Sequence, residues 1–179
     1  MTRDQLEHAI RAACDVSGDT ELWVFGYQAI LAQFPDAPES LRTSVEIDVQ
    51  PKNRPEAVDV VDWNLGELSL FNKTHGFYVH GVAIESAKLP EGWKKRTVPV
   101  RDPISTRNHT GFCLEAHDLA ASKLAVYREK DREFVRLLLI EKMVDAPELA
   151  RRITALEVDE DVKTRLLRWV DITAGELKD

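Results

Sequence analysis

Cysteine is scarce in this 179-residue chain, which has only Cys14 and Cys113. They stand far apart, outside any C-x-x-C pair or Cys/His ladder. That pattern excludes a disulfide framework and a structural zinc site, and it reads as reduced, cytosolic thiols. Long hydrophobic runs are missing: none approaches the roughly eighteen residues that a membrane helix needs. The opening MTRDQLEHAIRAA lacks the apolar centre of a signal peptide. A basic excess is missing as well. Lys and Arg number 24 against 31 Asp and Glu, a net charge of −7. That balance argues against a general nucleic-acid coat and leaves only a local basic groove open. Repeats and low-complexity tracts are absent too. From these absences a cytoplasmic protein without membrane association is expected.

What is present is an ordinary globular composition, 44% hydrophobic and 31% charged, enough to bury a core in one domain, or one domain with a small appendage. Thr2 and Gln5 have capping-box spacing, with Leu6, Ile10 and Ala13 on one helix face, and Ser17-Gly18-Asp19 ends that helix. Residues 22–25 read as a short buried strand stopped by Gly26, and residues 28–34 as helical until Pro35 and Pro38 break the pattern. Residues 44–49 are strand-like and residues 55–65 helical, with Pro55 at an allowed first-turn position. Residues 77–84 and 97–100 read as further strands, and residues 102–111 as a polar loop. The last third is strongly helical. Leu119, Leu124 and Tyr127 mark one helix; Phe134, Leu137, Leu138 and Ile140 a second. Asp145 caps a third and Asp159 a fourth, whose inner stripe is Val162, Leu166, Trp169 and Val170. The order gives an α+β core over residues 1–113 and a helical C-terminal part over 114–179, expected to pack as one unit.

Within TSVEIDVQP, residues 43–51, two acids interrupt a β-branched run. Side chains alternate along a strand, so Glu46 and Asp48 share a face while Val45, Ile47 and Val49 point the other way. Their Cα atoms should lie roughly 6.5–7 Å apart. Carboxylates so placed can converge on a divalent ion, and Mg²⁺ suits such a site because water and phosphate oxygens fill its other positions. An E-x-D pair is also what the wet face of a half-exposed strand looks like, facing Arg42 or Lys52. Upstream, in WVFGYQAIL, an apolar strand ends at Gly26 and a helical segment follows at once. Such a turn can aim free backbone N–H groups at a phosphate. Ser44, beside the acids, is a candidate phosphate donor or an ordinary strand serine.

A second block, LEAHDLAASKLAVYREKDREFV, carries Lys123, Arg128, Lys130 and Asp131, with Asp131 at the expected N-cap of the helix containing Phe134. Lys is a point charge and Arg a planar fork, and both can neutralise polyphosphate. Asp131 can orient Lys123 or Arg128. Mixed charges of this kind also form solvated helix faces.

A strand–Gly–helix turn followed by an acid-x-acid strand resembles the nucleotidyltransferase fold of the DNA polymerase β type. Gly26, Glu46 and Asp48 match its outline; Tyr27 departs from it where a small residue, usually serine, is expected. HDLAASKLAVYREKDREFV resembles the signature of the AbiEii-like and related DUF6036 nucleotidyltransferases. There Lys123, Leu124, Arg128, Lys130 and Asp131 match, and Val126 stands where alanine is usual. Together the blocks span about residues 20–145.

The resemblance implies a mixed sheet flanked by helices with a C-terminal helical extension, and Mg²⁺-dependent transfer of a nucleotide from an NTP to an RNA (tRNA-like) or protein acceptor. It implies Glu46, Asp48, Lys123 and Asp131 as catalytic residues, with Glu46 and Asp48 on the metal. Substrate contacts would come from Gly26, Tyr27, Ser44, Arg128 and Lys130. Members of the wider group include toxins of toxin–antitoxin and phage-defence systems, so an antitoxin partner is an expectation as well. Two alternatives stay open: a catalytically inactive, nucleotidyltransferase-like binding protein marked by Tyr27, and a purely structural interaction domain. The third carboxylate common in the fold is unplaced among Asp59, Asp62 and Glu85. His75 and His80 fit no standard zinc spacing and are expected on the surface or in hydrogen bonds. Trp23, Trp63, Trp93 and Trp169 are expected as packing anchors, with Trp93 beside Lys94-Lys95-Arg96 a candidate RNA contact.

Overall fold

The computed structural model describes residues 1–177 and separates into two units, residues 1–86 with 97–114, and residues 87–96 with 115 onward. The first unit opens with α1 (Arg3–Ser17). Thr2 and Gln5 close the expected capping box, and Gly18, at φ 67°, forms the left-handed C-cap that a residue without Cβ adopts at little cost. Leu6, Ala9, Ile10 and Ala13 are fully buried on its inner face. The strands are β1 (Glu21–Val24), β2 (Glu46–Pro51), β3 (Tyr78–Gly81), β4 (Val98–Val100) and β5 (Thr110–Cys113). They form one open sheet in the order β3-β2-β1-β5-β4. It is mixed: β1 runs antiparallel to β2 and parallel to β5, β2 is parallel to β3, and β4 is antiparallel to β5.

Alternation explains why β2 can carry acids at all. Ile47 and Val49 are fully buried with Val79, Leu22 and Val24, while Glu46 and Asp48 keep solvent access on the opposite face. Val45, expected on the buried face, lies just ahead of the strand and is 48% exposed. The connection from β2 to β3 is a crossover through α2 (Val58–Leu65) and the short α3 (Leu70–His75), the kind of connection that parallel neighbours require.

Several local expectations change. Residues 27–32 form a six-residue 3₁₀ turn rather than an α-helix through residue 34. The expected strand over 77–84 stops at Gly81, where a Cβ would meet the Val58 carbonyl oxygen at 2.0 Å. Residues 102–111 are not all loop, because Thr110 and Gly111 belong to β5. The two cysteines are free and buried, and burial pushes both thiols up to about 12. Trp63 is no packing anchor; it is 80% exposed on α2.

The second unit holds α4 (Ala116–Val126), α5 (Glu129–Ile140), α6 (Ala146–Thr154) and α7 (Glu160–Glu176). Leu119, Ala120, Ala121 and Leu124 bury α4, and Leu166 and Val170 anchor α7. Asp145 caps α6 by accepting the Glu148 N–H at 2.9 Å. Asp118, fully buried, takes a bidentate Arg96 guanidinium at 2.8 and 2.9 Å and Arg152 at 3.1 Å. Arg96, within the basic triplet, is thereby committed to packing. Among the described residues no helix is long and apolar enough to cross a membrane.

Candidate active site

Gly26 ends the first strand region, and the Phe25 N–H donates to the Asp48 carbonyl at 3.1 Å, so the turn is tied to the middle of β2. The Gly26 backbone is extended (φ −77°, ψ −179°), a conformation open to any residue. Its reason for being glycine is proximity. A Cβ there would lie 2.5 Å from Asp48 Oδ2 and 3.1 Å from Asp48 Cγ, so the carboxylate rests against bare backbone. Tyr27 follows, half-buried, as the first residue of the 3₁₀ turn. Ser44 lies ahead of β2; its hydroxyl accepts the Glu46 N–H at 3.2 Å, and its carbonyl accepts from Gln28 Nε2 at 3.0 Å. These contacts shape the entry to the strand.

The parallel register of β2 and β3 sets Glu46 beside Tyr78 and Asp48 beside His80. Both strands therefore turn their polar sides to the same face of the sheet. His80 Nδ1 is 3.1 Å from Asp48 Oδ1 and 3.2 Å from Glu46 Oε1. One donor atom from each of the three residues falls within 4.8 Å of the other two. The side chains are 37%, 21% and 42% exposed for Glu46, Asp48 and His80, so the cluster is open to a ligand.

The electrostatics follow from that crowding. The hydrogen bond to Asp48 holds His80 above its usual value against the effect of burial, with the charges of Asp48, Glu46 and Asp62 adding to it. Burial and the nearby charges of Glu46 and Glu67 push the Tyr78 phenol up to about 12, and the phenol also hydrogen-bonds Glu46. Tyr78 is thus a neutral donor at any ordinary pH and a positioning residue for Glu46. Asp62, on α2, is a third-carboxylate candidate whose charge reaches His80; Asp59 and Glu85 are exposed.

Glu46 and Asp48 are an oxygen pair of the kind Mg²⁺ accepts, which takes one or two carboxylates and completes its shell with water and phosphate. The donor chemistry therefore fits a divalent cation. The imidazole nitrogen beside them is a donor better suited to first-row metals. His80, expected on the surface or in a hydrogen bond, is partly exposed and hydrogen-bonded to Asp48. What spacing missed is that its partners are the acid pair. The available signal was alternation in two strands at once, E-x-D in one and Y-x-H in the next, joined by a helical crossover.

The remaining expected site residues lie in the second unit. Lys123 sits half-buried in the last turn of α4, ahead of Tyr127, whose φ of 64° closes that helix. Asp131 is fully buried and accepts from Arg128 three times: Nε at 2.8 Å, Nη2 at 3.1 Å and the backbone N–H at 3.2 Å. Arg128, not Asp131, is the N-cap of α5, and Asp131 folds back on it from the third helical position. Of the two cations Asp131 could orient, it holds Arg128. Lys130 is exposed on the first turn of α5.

A family model described as "Nucleotidyltransferase of unknown function (DUF6036)" matches residues 5–174. No curated protein and no solved structure matches the chain.

Proposed function

The chain belongs to the DUF6036 nucleotidyltransferase family, which implies a nucleotidyltransferase-type activity and use of a nucleotide substrate, and from that footing we propose that Glu46 and Asp48 form its metal-binding centre. The observation that carries this reading is the convergence of Glu46, Asp48 and His80 on one face of the sheet, with Asp48 seated against Gly26. In this reading the protein is AbiEii-like, with a polymerase β-type arrangement, and it moves a nucleotide from an NTP to an RNA, tRNA-like, or protein hydroxyl. The family motif alone supports roles for Lys123, Arg128 and Lys130 at phosphate or acceptor, and for Asp131 as the group that fixes Arg128. A toxin paired with an antitoxin is the biological setting that the same likeness supports.

Glu46 and Asp48 would hold Mg²⁺, whose charge when bound neutralises the triphosphate. Tyr78 and His80 keep the two carboxylates oriented before substrate arrives, so little reorganisation is needed at the moment of reaction. The acceptor oxygen attacks the α-phosphorus in line, the bond from that phosphorus to the β-phosphate oxygen breaks, and pyrophosphate leaves. The hydroxyl proton leaves to water. Positioning and electrostatics supply most of the rate, as in phosphoryl transfer generally.

The test is incubation of the protein with each labelled NTP, Mg²⁺ and total RNA or lysate. Label should move to a macromolecule and fall on the order of 10²–10³-fold in Asp48→Ala. Absence of transfer under every condition, or transfer indifferent to Asp48→Ala, contradicts catalysis at this site. Tyr27 favours a second reading, a nucleotide-binding relative without catalysis. Calorimetric NTP binding without any transfer would select it.

A further inference from the structure

The donors at the acid pair are not all oxygen, and that difference has chemical content. We propose that His80 Nδ1 is the third protein ligand of the cation at Glu46 and Asp48, and that it makes the site prefer Mn²⁺ to Mg²⁺. The inference rests on the metal-centre reading above and deepens it.

One imidazole nitrogen faces two carboxylate oxygens, at 3.1 and 3.2 Å. A ring nitrogen carries one hydrogen or one lone pair, never both. As an N–H it serves one of the two oxygens well and the other poorly. As a lone pair it is a third donor atom within 4.8 Å of the two carboxylate donors.

The backbone fixes this arrangement. The β2–β3 register sets Asp48 beside His80, Gly26 leaves Asp48 its seat, and the Val58 carbonyl leaves no room for a side chain at Gly81, the residue after His80. Mg²⁺ is held through carboxylate, water and phosphate oxygens, whereas a nitrogen donor adds affinity for transition-metal ions over Mg²⁺. Among those, Mn²⁺ keeps an octahedral shell and an affinity for oxygen, so phosphate oxygens can complete it after three protein donors. Zn²⁺, held tetrahedrally by the same three groups, would leave one position, too few for a chelating triphosphate.

The experiment uses the full chain with Mn²⁺ alone as the probe. Electron paramagnetic resonance of the free ion gives the affinity, pulsed measurements report coupling of bound Mn²⁺ to nitrogen, and Mg²⁺ is scored by competition. Wild type should show nitrogen coupling and bind Mn²⁺ at least ten-fold tighter than Mg²⁺. Loss of even outer partners costs metal sites about 10–100-fold. His80→Asn should accordingly abolish the coupling and weaken Mn²⁺ ten-fold or more, with less than a two-fold change for Mg²⁺. His80→Asp, which restores a third oxygen, should move the preference toward Mg²⁺. Bound Mn²⁺ without nitrogen coupling, or His80→Asn equal to wild type, overturns the proposal while leaving nucleotidyl transfer and its Asp48 dependence intact. If neither His80→Asn nor Asp48→Asn alters Mn²⁺ binding, the cation sits elsewhere and both readings fall.

Discussion

At the scale of single residues, the site depends on groups whose identity makes sense only through a neighbour. Gly26 is the clearest. Its backbone needs no special freedom, but any side chain would strike the Asp48 carboxylate. Gly26→Ala should therefore leave the circular dichroism spectrum unchanged and lower transfer on the order of 10²-fold, because displacement of a reacting group by about 1 Å costs that much. Full activity would remove Asp48's position from the account. Tyr27 opens the same turn, at the position where the polymerase β-type resemblance leads one to expect a small residue. Tyr27→Ser should raise nucleotide affinity in calorimetry; equal or weaker binding would show that the ring is not in the way. That Glu46 and Asp48 share a face was legible from alternation, and the Gly26 turn from its place after an apolar run. His80 was not, because its meaning lies in a register set with β2, 32 residues earlier. Local spacing carries no record of that pairing.

At the scale of elements, the same contrast holds. β2 was readable because β-branched residues alternate with acids over several positions, and α1 because its cap, stripe and terminating glycine agree. β5 was missed. Its four residues, Thr110–Cys113, include a glycine and follow a polar stretch; it is a strand because β1 and β4 flank it. α3 is six residues long, too short to show a period, and depends on the Ser69 cap. In the second unit the helices were readable, yet the ionic staples between them were not. Asp118→Asn should cost about 3 kcal/mol in urea unfolding, since it leaves two guanidiniums facing an uncharged partner in a buried setting. His117 bridges Glu115 at 2.7 Å and Asp145 at 3.2 Å, joining the start of α4 to the start of α6. Burial opposes its charge, but the hydrogen bonds and charges of Glu115 and Asp145 prevail and raise it. A histidine raised on folding contributes stability that is complete below its unfolded value of about 6.5 and fades as pH rises through the folded value. Urea midpoints should accordingly fall across that interval in wild type, and fall less in His117→Asn. An unchanged slope in the variant would assign the pH dependence to other groups.

At the scale of the whole molecule, the net charge of −7 constrains the acceptor. An acidic chain gains little from phosphate contacts, so unrelated RNA should bind no tighter than about 10⁻⁶ M at physiological salt, the usual limit of non-specific association. Mobility shifts that reveal nanomolar, salt-sensitive binding would point to a basic groove that the charge balance conceals. An acceptor, if RNA, is then recognised by shape or by a few base contacts. The α+β class was readable from element order, because strand and helix periods alternate early and helices dominate late; the mixed sheet was expected only from the family resemblance. Sheet order was not readable, since β5 pairs with β1 across almost the full length of the first unit. The central claim is that the acid pair grips a metal-bound polyphosphate. Anomalous diffraction from crystals grown with Mn²⁺ and a non-hydrolysable NTP tests it most directly. The expected map has one Mn²⁺ peak bonded to Glu46 and Asp48 and touching triphosphate oxygens; nucleotide bound away from these carboxylates, or a metal held by other groups, would contradict the account.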